Sequence, residues 1–384
     1  MTYYRRVEEK VVNYLKSPPG KILFIWGPRR SGKTTLLEKI ASEQGNLPIF
    51  NFDFQSHQEK FIPRREVTDK IASENPILLI DEVQNYPEAT QTLKVLIDHY
   101  PIKIIATGSS ELRQKSEEFD SLAGRFIEAY CLPLSAEEVF SNTRVKSYEE
   151  DDLAKQTAEH AQIFGLYPEV FLSQSSVEGK AALLQNILDM YVLKDIITIY
   201  NLKNTKLAKD ILTLLALQLG QEVSIREIAN SLQSTTQTVS NYIEIFIKNY
   251  VLIPLPSFKT NLRRAVSLNR KLYFYDLGIR NILTKDFRPT ALRPDKGAVF
   301  ENFVISEIEK RIRNHGMFFS RYFYREYHGR EVDLILEDYM KKYFVFEIKS
   351  QEETAKPVFP LEHSLKVINK NNYHKRISEI YSTL

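Results

Sequence analysis

Gly27-Pro28-Arg29-Arg30-Ser31-Gly32-Lys33-Thr34, entered from the apolar run Ile22-Leu23-Phe24-Ile25-Trp26, fits the pattern GxxxxGK[ST] between a strand and a helix. The spacing is that of a phosphate cradle. Glycines let the chain curl until successive backbone N–H groups face one anion, Lys33 reaches the terminal phosphates, and Thr34 offers a hydroxyl to Mg²⁺. The helical pattern from Thr35 through Ile40 aims its positive end at the same anion. The stretch predicts a nucleoside triphosphate ringed by Gly27, Pro28, Arg29, Arg30, Ser31, Gly32, Lys33, Thr34 and Thr35.

Such a cradle needs an acidic partner, and Ile77-Leu78-Leu79-Ile80-Asp81-Glu82 supplies one. Four aliphatic residues in a row suit a strand buried on both faces of a parallel sheet, whose first carboxylate emerges at the C-terminal edge. Asp81 is placed to bind Mg²⁺ through water, and Glu82 is the candidate base for the attacking water. Capping of the turn from Pro87 to Ala89 is the plainer role for this pair.

Further strands are expected at Pro48 to Phe54, Pro76 to Ile80, Ile102 to Thr107 and Phe126 to Leu132, with helical patterns between them. A short amphipathic segment, Val7 to Leu15, precedes the first strand. Thr92, Val95, Leu96 and His99 recur at helical spacing, as a crossover helix against a sheet requires. The fold class is therefore α/β, a doubly wound parallel sheet. In Ile104-Ile105-Ala106-Thr107-Gly108-Ser109-Ser110 a hydroxyl at the strand tip would lie beside the γ-phosphate, so Thr107 and Ser109 are candidate phosphate sensors. Ser109 or Ser110 would serve equally well as a helix N-cap, and both readings stand.

The chain has 384 residues, 43% of them hydrophobic and 26% charged, which is the profile of a soluble globular protein of about two to three domains. No apolar run approaches the roughly 18 residues of a membrane span, and Met1 to Ser17 is too polar for a secretory signal. A cytoplasmic address without membrane contact is the expectation. Cys131 is the single cysteine, so neither an internal disulfide nor a cysteine-based zinc site can form. A net charge of +3 permits nucleic-acid contact without requiring it. Arg263-Arg264, Arg270-Lys271 and Lys341-Lys342 read as solvated faces.

Ser121-Leu122-Ala123-Gly124-Arg125 comes just before the fifth strand. Here the order of parts resembles the AAA-type ATPases, specifically a bacterial and archaeal family in which the ATPase core is followed by a winged helix and a nuclease-like C-terminal region. GPRRSGKTT, LLIDEVQ, ATGSS, LAGRF, LYPEV, KLYFYDLG and a final EIK fall in that family's order over nearly the whole chain. The resemblance implies that Arg125 is an arginine finger, in its own subunit or a neighbour's, and a neighbour's site would make the protein a homo-oligomer. A salt-bridged surface arginine is the alternative. ATP is preferred over GTP because no NKxD-type motif follows a strand, and because of the resemblance.

From Asp151 to Tyr200 the pattern is helical, with Leu184, Ile187, Leu188, Tyr191 and Val192 on one face and Gly165 to Glu169 as a loop. Ile225 to Leu232 and Thr235 to Lys248 read as a helix-turn-helix, and strands at Val251 to Leu255 and Lys271 to Tyr275 would form a wing. If this element reads DNA, Thr235, Thr236, Gln237, Thr238 and Asn241 face a groove, with Arg263 and Arg264 on phosphates. The same fold also serves as scaffolding.

Glu301 lies in an amphipathic helix, Ala298 to Arg311, with Phe300, Phe303, Val304 and Ile308 as its buried stripe. Beyond a strand-like Met317 to Tyr324, Asp333 and the pair Glu347 and Lys349 fall on two strands, and alternation sets Glu347 and Lys349 on one face. Two such carboxylates and a lysine, with Glu301 from the helix, can hold Mg²⁺ and activate water against a phosphodiester. The set resembles a PD-(D/E)XK nuclease core, although Val332 stands where that pattern has proline. An exposed ion-pair ladder is the alternative. The expected domains are 1–140 (P-loop ATPase), 141–285 (helical and winged-helix) and 286–384 (α/β nuclease-like). The expected activity is Mg-dependent ATP hydrolysis coupled to binding or processing of nucleic acid, DNA favoured over RNA, with endonuclease activity open; the alternative is an ATP-dependent regulatory switch or a DNA-binding regulator with an inactive nuclease-like domain.

Overall fold

The computed structural model describes residues 3–109, 121–195, 204–259, 270–326, 329–350 and 358–382. Ser110, Arg263 and Arg264 lie outside them. The chain divides into two compact units, Met1–Leu132 and Pro133–Leu384.

The first unit runs α1 (Val7–Lys16), β1 (Ile22–Trp26), α2 (Lys33–Glu43), β2 (Ile49–Asn51), α3 (Arg65–Glu74), β3 (Ile77–Asp81), α4 (Ala89–His99), β4 (Lys103–Gly108) and β5 (Phe126–Tyr130). Its five strands form one parallel sheet in the order β2-β3-β4-β1-β5. The α/β expectation holds. All five residues of β1 are buried, as a central parallel strand covered on both faces demands. Leu23, Ile25, Leu79, Ile105 and Ala129 share a core with Val7 and Val11 of α1 and Leu36, Leu37 and Ile40 of α2. Each such Val, Leu or Ile side chain contributes about 1.5–3 kcal/mol when fully buried. In α4 the buried stripe is Ala89, Thr92, Leu93, Leu96 and Ile97, so Val95 is only half-buried and His99 is exposed at the helix end.

Parallel strands end together, so the loops after β1, β3 and β4 emerge at one edge. The strand order sets β4 between β1 and β3, which brings its tip between the cradle and the acidic pair.

The second unit begins with α5 (Ala136–Asn142), α6 (Glu150–Phe164) and α7 (Val177–Asn186). The last continues as a π-helix over Ile187–Asp195. Leu184, Ile187, Leu188 and Val192 are buried as expected, whereas Tyr191 is half-buried, because the wider i→i+5 turns rotate it away from a stripe drawn at 3.6 residues per turn. There follow α8 (Thr205–Leu217), α9 (Ile225–Ser231), α10 (Thr236–Lys248), the antiparallel hairpin of β6 (Leu252–Pro256) and β7 (Arg270–Phe274), and α11 (Leu277–Thr284). Then come α12 (Lys296–His315), β8 (Ser320–Arg325), β9 (Glu331–Glu337), β10 (Tyr343–Ile348), β11 (His363–Ile368) and α13 (Tyr373–Ser382). The last four strands make a mixed sheet, β11-β10-β9-β8, in which only β11 pairs in parallel.

Two of the motifs are explained by packing. The Asp276 carboxylate of KLYFYDLG accepts the Leu166 N–H of LYPEV at 2.6 Å and the Gly278 N–H at 2.9 Å. A Cβ on Gly165 would lie 1.9 Å from Asp276 Oδ1, and one on Gly278 would lie 2.2 Å from the Phe164 carbonyl oxygen. Only glycine permits that joint.

The α12 stripe of Phe300, Phe303, Val304 and Ile308 is buried as expected, but so are Asn302, Glu307, Glu309 and Lys310 on its other faces. This is a central helix rather than an amphipathic surface one. Its polar groups are matched, with Asn302 bonding both the N–H and the carbonyl of Phe274 at 2.8 Å and Lys310 pairing with Glu307 at 2.9 Å. Among the described residues no helix is long and apolar enough to cross a membrane.

Candidate functional site

The loop after β1 has the backbone that its sequence requires. Arg30 and Gly32 take left-handed conformations, φ 62° and 98°, which turns the chain back on itself ahead of α2. Gly27 is fixed by contact: a Cβ there would sit 1.9 Å from the Cys131 carbonyl oxygen, just past the end of β5. The Ser31 hydroxyl is turned inward to the Pro28 carbonyl at 2.8 Å. Lys33 is 4% exposed, and its ammonium donates to the carbonyls of Gly27 and Pro28, both at 3.0 Å. Among the described residues no carboxylate pairs with it. A buried cation satisfied only by carbonyls of its own loop, at a helix N-terminus, suits a polyphosphate.

Sequence reasoning missed Arg5. Its guanidinium, buried beside the loop, donates to the carbonyls of Ser31 and Leu132 and so clamps the cradle to the end of the β5 segment. No pattern in the chain marks it, because its partners are backbone atoms distant in sequence.

On the acidic side Asp81, 1% exposed, receives the Thr34 hydroxyl on Oδ2 at 2.8 Å and the Thr107 hydroxyl on Oδ1. Thr34 and Asp81, expected to share Mg²⁺, are thus brought together. Oxygen donors of this hardness fit that ion. Thr107 braces Asp81, so its hydroxyl is already engaged. Ser109 is different: its Oγ is buried and has no partner among the described residues. Glu82 holds φ at 53°, a strained value for a residue with a side chain, and such strain gathers at functional sites. Its carboxylate accepts from Gln84 Nε2, while Gln84 Oε1 accepts the Ser109 N–H at 3.0 Å. Gln84, the last residue of LLIDEVQ, is a second residue to which sequence reasoning gave no role.

Arg125 precedes β5, whose first residue Phe126 pairs with Ile22 at the start of β1. It therefore lies at the sheet edge opposite its own cradle, about 16 Å away along five residues of strand. Its Nε meets Asp98 Oδ1 at 2.7 Å, and this bond holds the Asp98 carboxyl below its usual range.

In the helix pair, the Thr235 side chain caps α10 by accepting the Thr238 N–H at 3.1 Å, and Gln237 bonds Asn241 at 2.9 Å. Thr236, Gln237 and Asn241 are exposed.

The C-terminal set is only partly assembled. Asp333 accepts the Ile348 N–H at 2.7 Å, which ties it beside Glu347, and Lys349 pairs with Glu347 at 3.2 Å. Glu301 reaches the same region from α12, but it is engaged by β7: Lys271 at 3.2 Å and the Tyr273 hydroxyl. Lys271 also pairs with Glu331. Glu301, Asp333 and Glu347 were expected to share a metal; among the described residues no group of three or more His, Cys, Asp or Glu is arranged to hold a metal ion. Lys271, 3% exposed, supplies positive charge to Glu301 and Glu331. The reading of Arg270-Lys271 as a solvated pair is corrected by the burial of Lys271. Burial raises the pKa values of Glu301, Asp333 and Glu347. Burial alone would lower that of Lys271, but Glu301 and Glu331 outweigh it and leave it raised.

Residues 19–140 match the family model described as an AAA domain. Residues 155–290 and 296–376 match two domains of unknown function, DUF8612 and DUF4143. An uncharacterized protein of Methanocaldococcus jannaschii, MJ1544, is 29% identical over 331 residues, 81% of this chain and 72% of its own. An uncharacterized protein of Haemophilus influenzae is 26% identical over 280 residues, 67% and 68% of the two chains. Among solved structures, the Aeropyrum pernix Orc1 protein in complex with DNA aligns with 73% of this chain and 91% of its own at 14% identity and TM-score 0.29. AMPPCP-bound DnaA from Aquifex aeolicus aligns with 62% and 84% at 19% identity and TM-score 0.27. Scores so low carry no argument. With the matched stretch, the parallel sheet and the loop geometry together, residues 19–140 are an AAA-type P-loop domain.

Proposed function

We propose that this protein hydrolyses ATP with Mg²⁺ in its first unit and uses the nucleotide state to govern contact with nucleic acid, DNA before RNA. The observation that carries the reading is Lys33, a buried ammonium with no carboxylate partner among the described residues, opposite the bonded pair Thr34 and Asp81. In this reading the N–H groups from Gly27 to Thr35 and the Lys33 ammonium hold the phosphates. Thr34 and Asp81 would hold magnesium, which withdraws charge from the phosphoryl oxygens when bound. Glu82 orients and deprotonates the attacking water. Ser109 is the remaining candidate sensor, with a hydroxyl to spare, and Thr107 supports it indirectly through Asp81. Arg125 serves a neighbouring copy, which makes the active form a homo-oligomer. The exposed polar start of α10, with β6 and β7 as a wing, is the proposed winged-helix contact to DNA. A cytoplasmic location accords with a chain whose lone cysteine forms no disulfide.

The test is ATP hydrolysis with and without Mg²⁺ and DNA. Wild type should turn over only with Mg²⁺ and faster with DNA, and Lys33→Ala should not turn over. Equal rates in the two proteins would end the proposal.

For residues 286–384 Lys271 favours the reading of a nuclease-like fold that does not cut. Plasmid incubated with Mg²⁺ or Mn²⁺ should be nicked equally and negligibly by wild type and Asp333→Ala, whereas nicking lost in the variant would restore the nuclease.

A further inference from the structure

We propose that Gln84 is a positioning residue for hydrolysis, joining the base Glu82 to the tip of β4 so that the strand nearest the phosphate sets the direction of the carboxylate. The inference rests on the reading of Glu82 as base and extends it to the last residue of LLIDEVQ, which the sequence reading gave no role.

The join is made by one amide. Gln84 Nε2 donates to Glu82 Oε2, and Gln84 Oε1 accepts the Ser109 N–H at 3.0 Å. A primary amide is a side chain that donates and accepts at one planar end; a carboxylate in its place could only accept, and an ammonium could only donate. The local backbone supports the arrangement. Glu82 is held left-handed, and its carbonyl receives the Asn85 N–H at 3.0 Å, closing the tight turn Val83–Asn85 that presents Gln84 back toward the sheet. Gly108 keeps the path clear: a Cβ there would meet Gln84 Oε1 at 2.8 Å, with Trp26 and Val83 each at 3.0 Å.

The geometry has two consequences. With one oxygen of Glu82 fixed by Gln84, the other is left to accept a proton from water in a defined direction. The β4 tip also carries the buried Ser109 Oγ, which has no described partner, one residue beyond Gly108. A phosphate oxygen that drew Ser109 toward it would pull on the same amide that aims the base. Gln84 thus makes the aim of Glu82 depend on the position of the β4 tip.

The test uses the full chain with Gln84→Ala, Gln84→Glu and Glu82→Gln, singly and combined, in single-turnover hydrolysis with a fluorescent ATP analogue for affinity. Loss of aim should lower kcat by about 10- to 100-fold in both Gln84 variants while affinity stays within about twofold of wild type. Gln84→Ala should change nothing further in the Glu82→Gln background. Without nucleotide, hydrogen exchange at the Ser109 amide should be faster in Gln84→Ala than in wild type. An unchanged kcat, an equal loss in the Glu82→Gln background, or unaltered exchange at Ser109 would each overturn the proposal. Failure of the parent reading is separate: Glu82→Gln would then hydrolyse as wild type does, whatever Gln84 did.

Discussion

Replacing Lys271 by Met keeps most of the stem and removes the charge that lies among Glu301, Glu331 and Asp333. The lysine is 3% exposed and 3.2 Å from Glu301. Removing one partner of a buried ion pair costs about 3–5 kcal/mol, because the other is left charged and dry. In a unit of this size a kcal/mol moves the midpoint by about 2–4 °C, so thermal denaturation should shift down by roughly 6–20 °C near neutral pH. The deficit has a signed pH dependence. Burial raises the folded pKa values of Glu301 and Asp333, and loss of the lysine raises them further. Carboxyls of that kind favour the fold at low pH, and the benefit is lost as pH rises from the ordinary carboxylate range through their raised values. Lys271→Met should therefore approach wild type as the pH falls toward about 5. Denaturation followed by circular dichroism at both pH values measures this, with Lys271→Arg as a variant that keeps the charge. A midpoint unchanged near neutral pH, or a deficit that grows in acid, would refute the reasoning.

Gly27→Ala sets a methyl 1.9 Å from the Cys131 carbonyl oxygen, so the cradle must part from the end of β5. Overpacking of this kind costs about 1–3 kcal/mol, and nucleotide affinity should fall with stability in a fluorescent-nucleotide titration. His160 is depressed from 6.5 to about 4, first by burial and then by the neighbouring Lys180. Below its unfolded pKa the unfolded chain takes up a proton that the fold refuses, so stability should decline between pH 6.5 and about 4. The loss is at most about 3 kcal/mol. Denaturant melts of His160→Gln across that range should show a flatter profile than wild type.

The first unit was legible because its signals are local. GPRRSGKTT, ILLIDE and ATGSS each end a strand of one parallel sheet, and parallel strands deliver their ends to one edge, so motif order alone brings the pieces together. Arg5 and Gln84 were hidden for the opposite reason. Each works through backbone carbonyls or an amide on another element, and neither residue type announces such a partner. Lys271 misled because a charged dipeptide is ordinarily solvated, and only the packing of β7 against α12 shows that one of the two cations is enclosed. The same packing explains the C-terminal set: Asp333, Glu347 and Lys349 follow from strand alternation, whereas the engagement of Glu301 by Lys271 and Tyr273 depends on a strand contributed from elsewhere in the chain.

Calorimetric titration with a non-hydrolysable ATP analogue, with and without Mg²⁺, tests most directly whether the cradle and the acidic pair meet at one magnesium-bound triphosphate. Wild type should bind more tightly with Mg²⁺, Asp81→Ala should bind equally in both conditions, and Lys33→Ala should lose at least about tenfold in affinity, about 1.4 kcal/mol. Binding by all three proteins that ignored the metal and both substitutions would contradict the account.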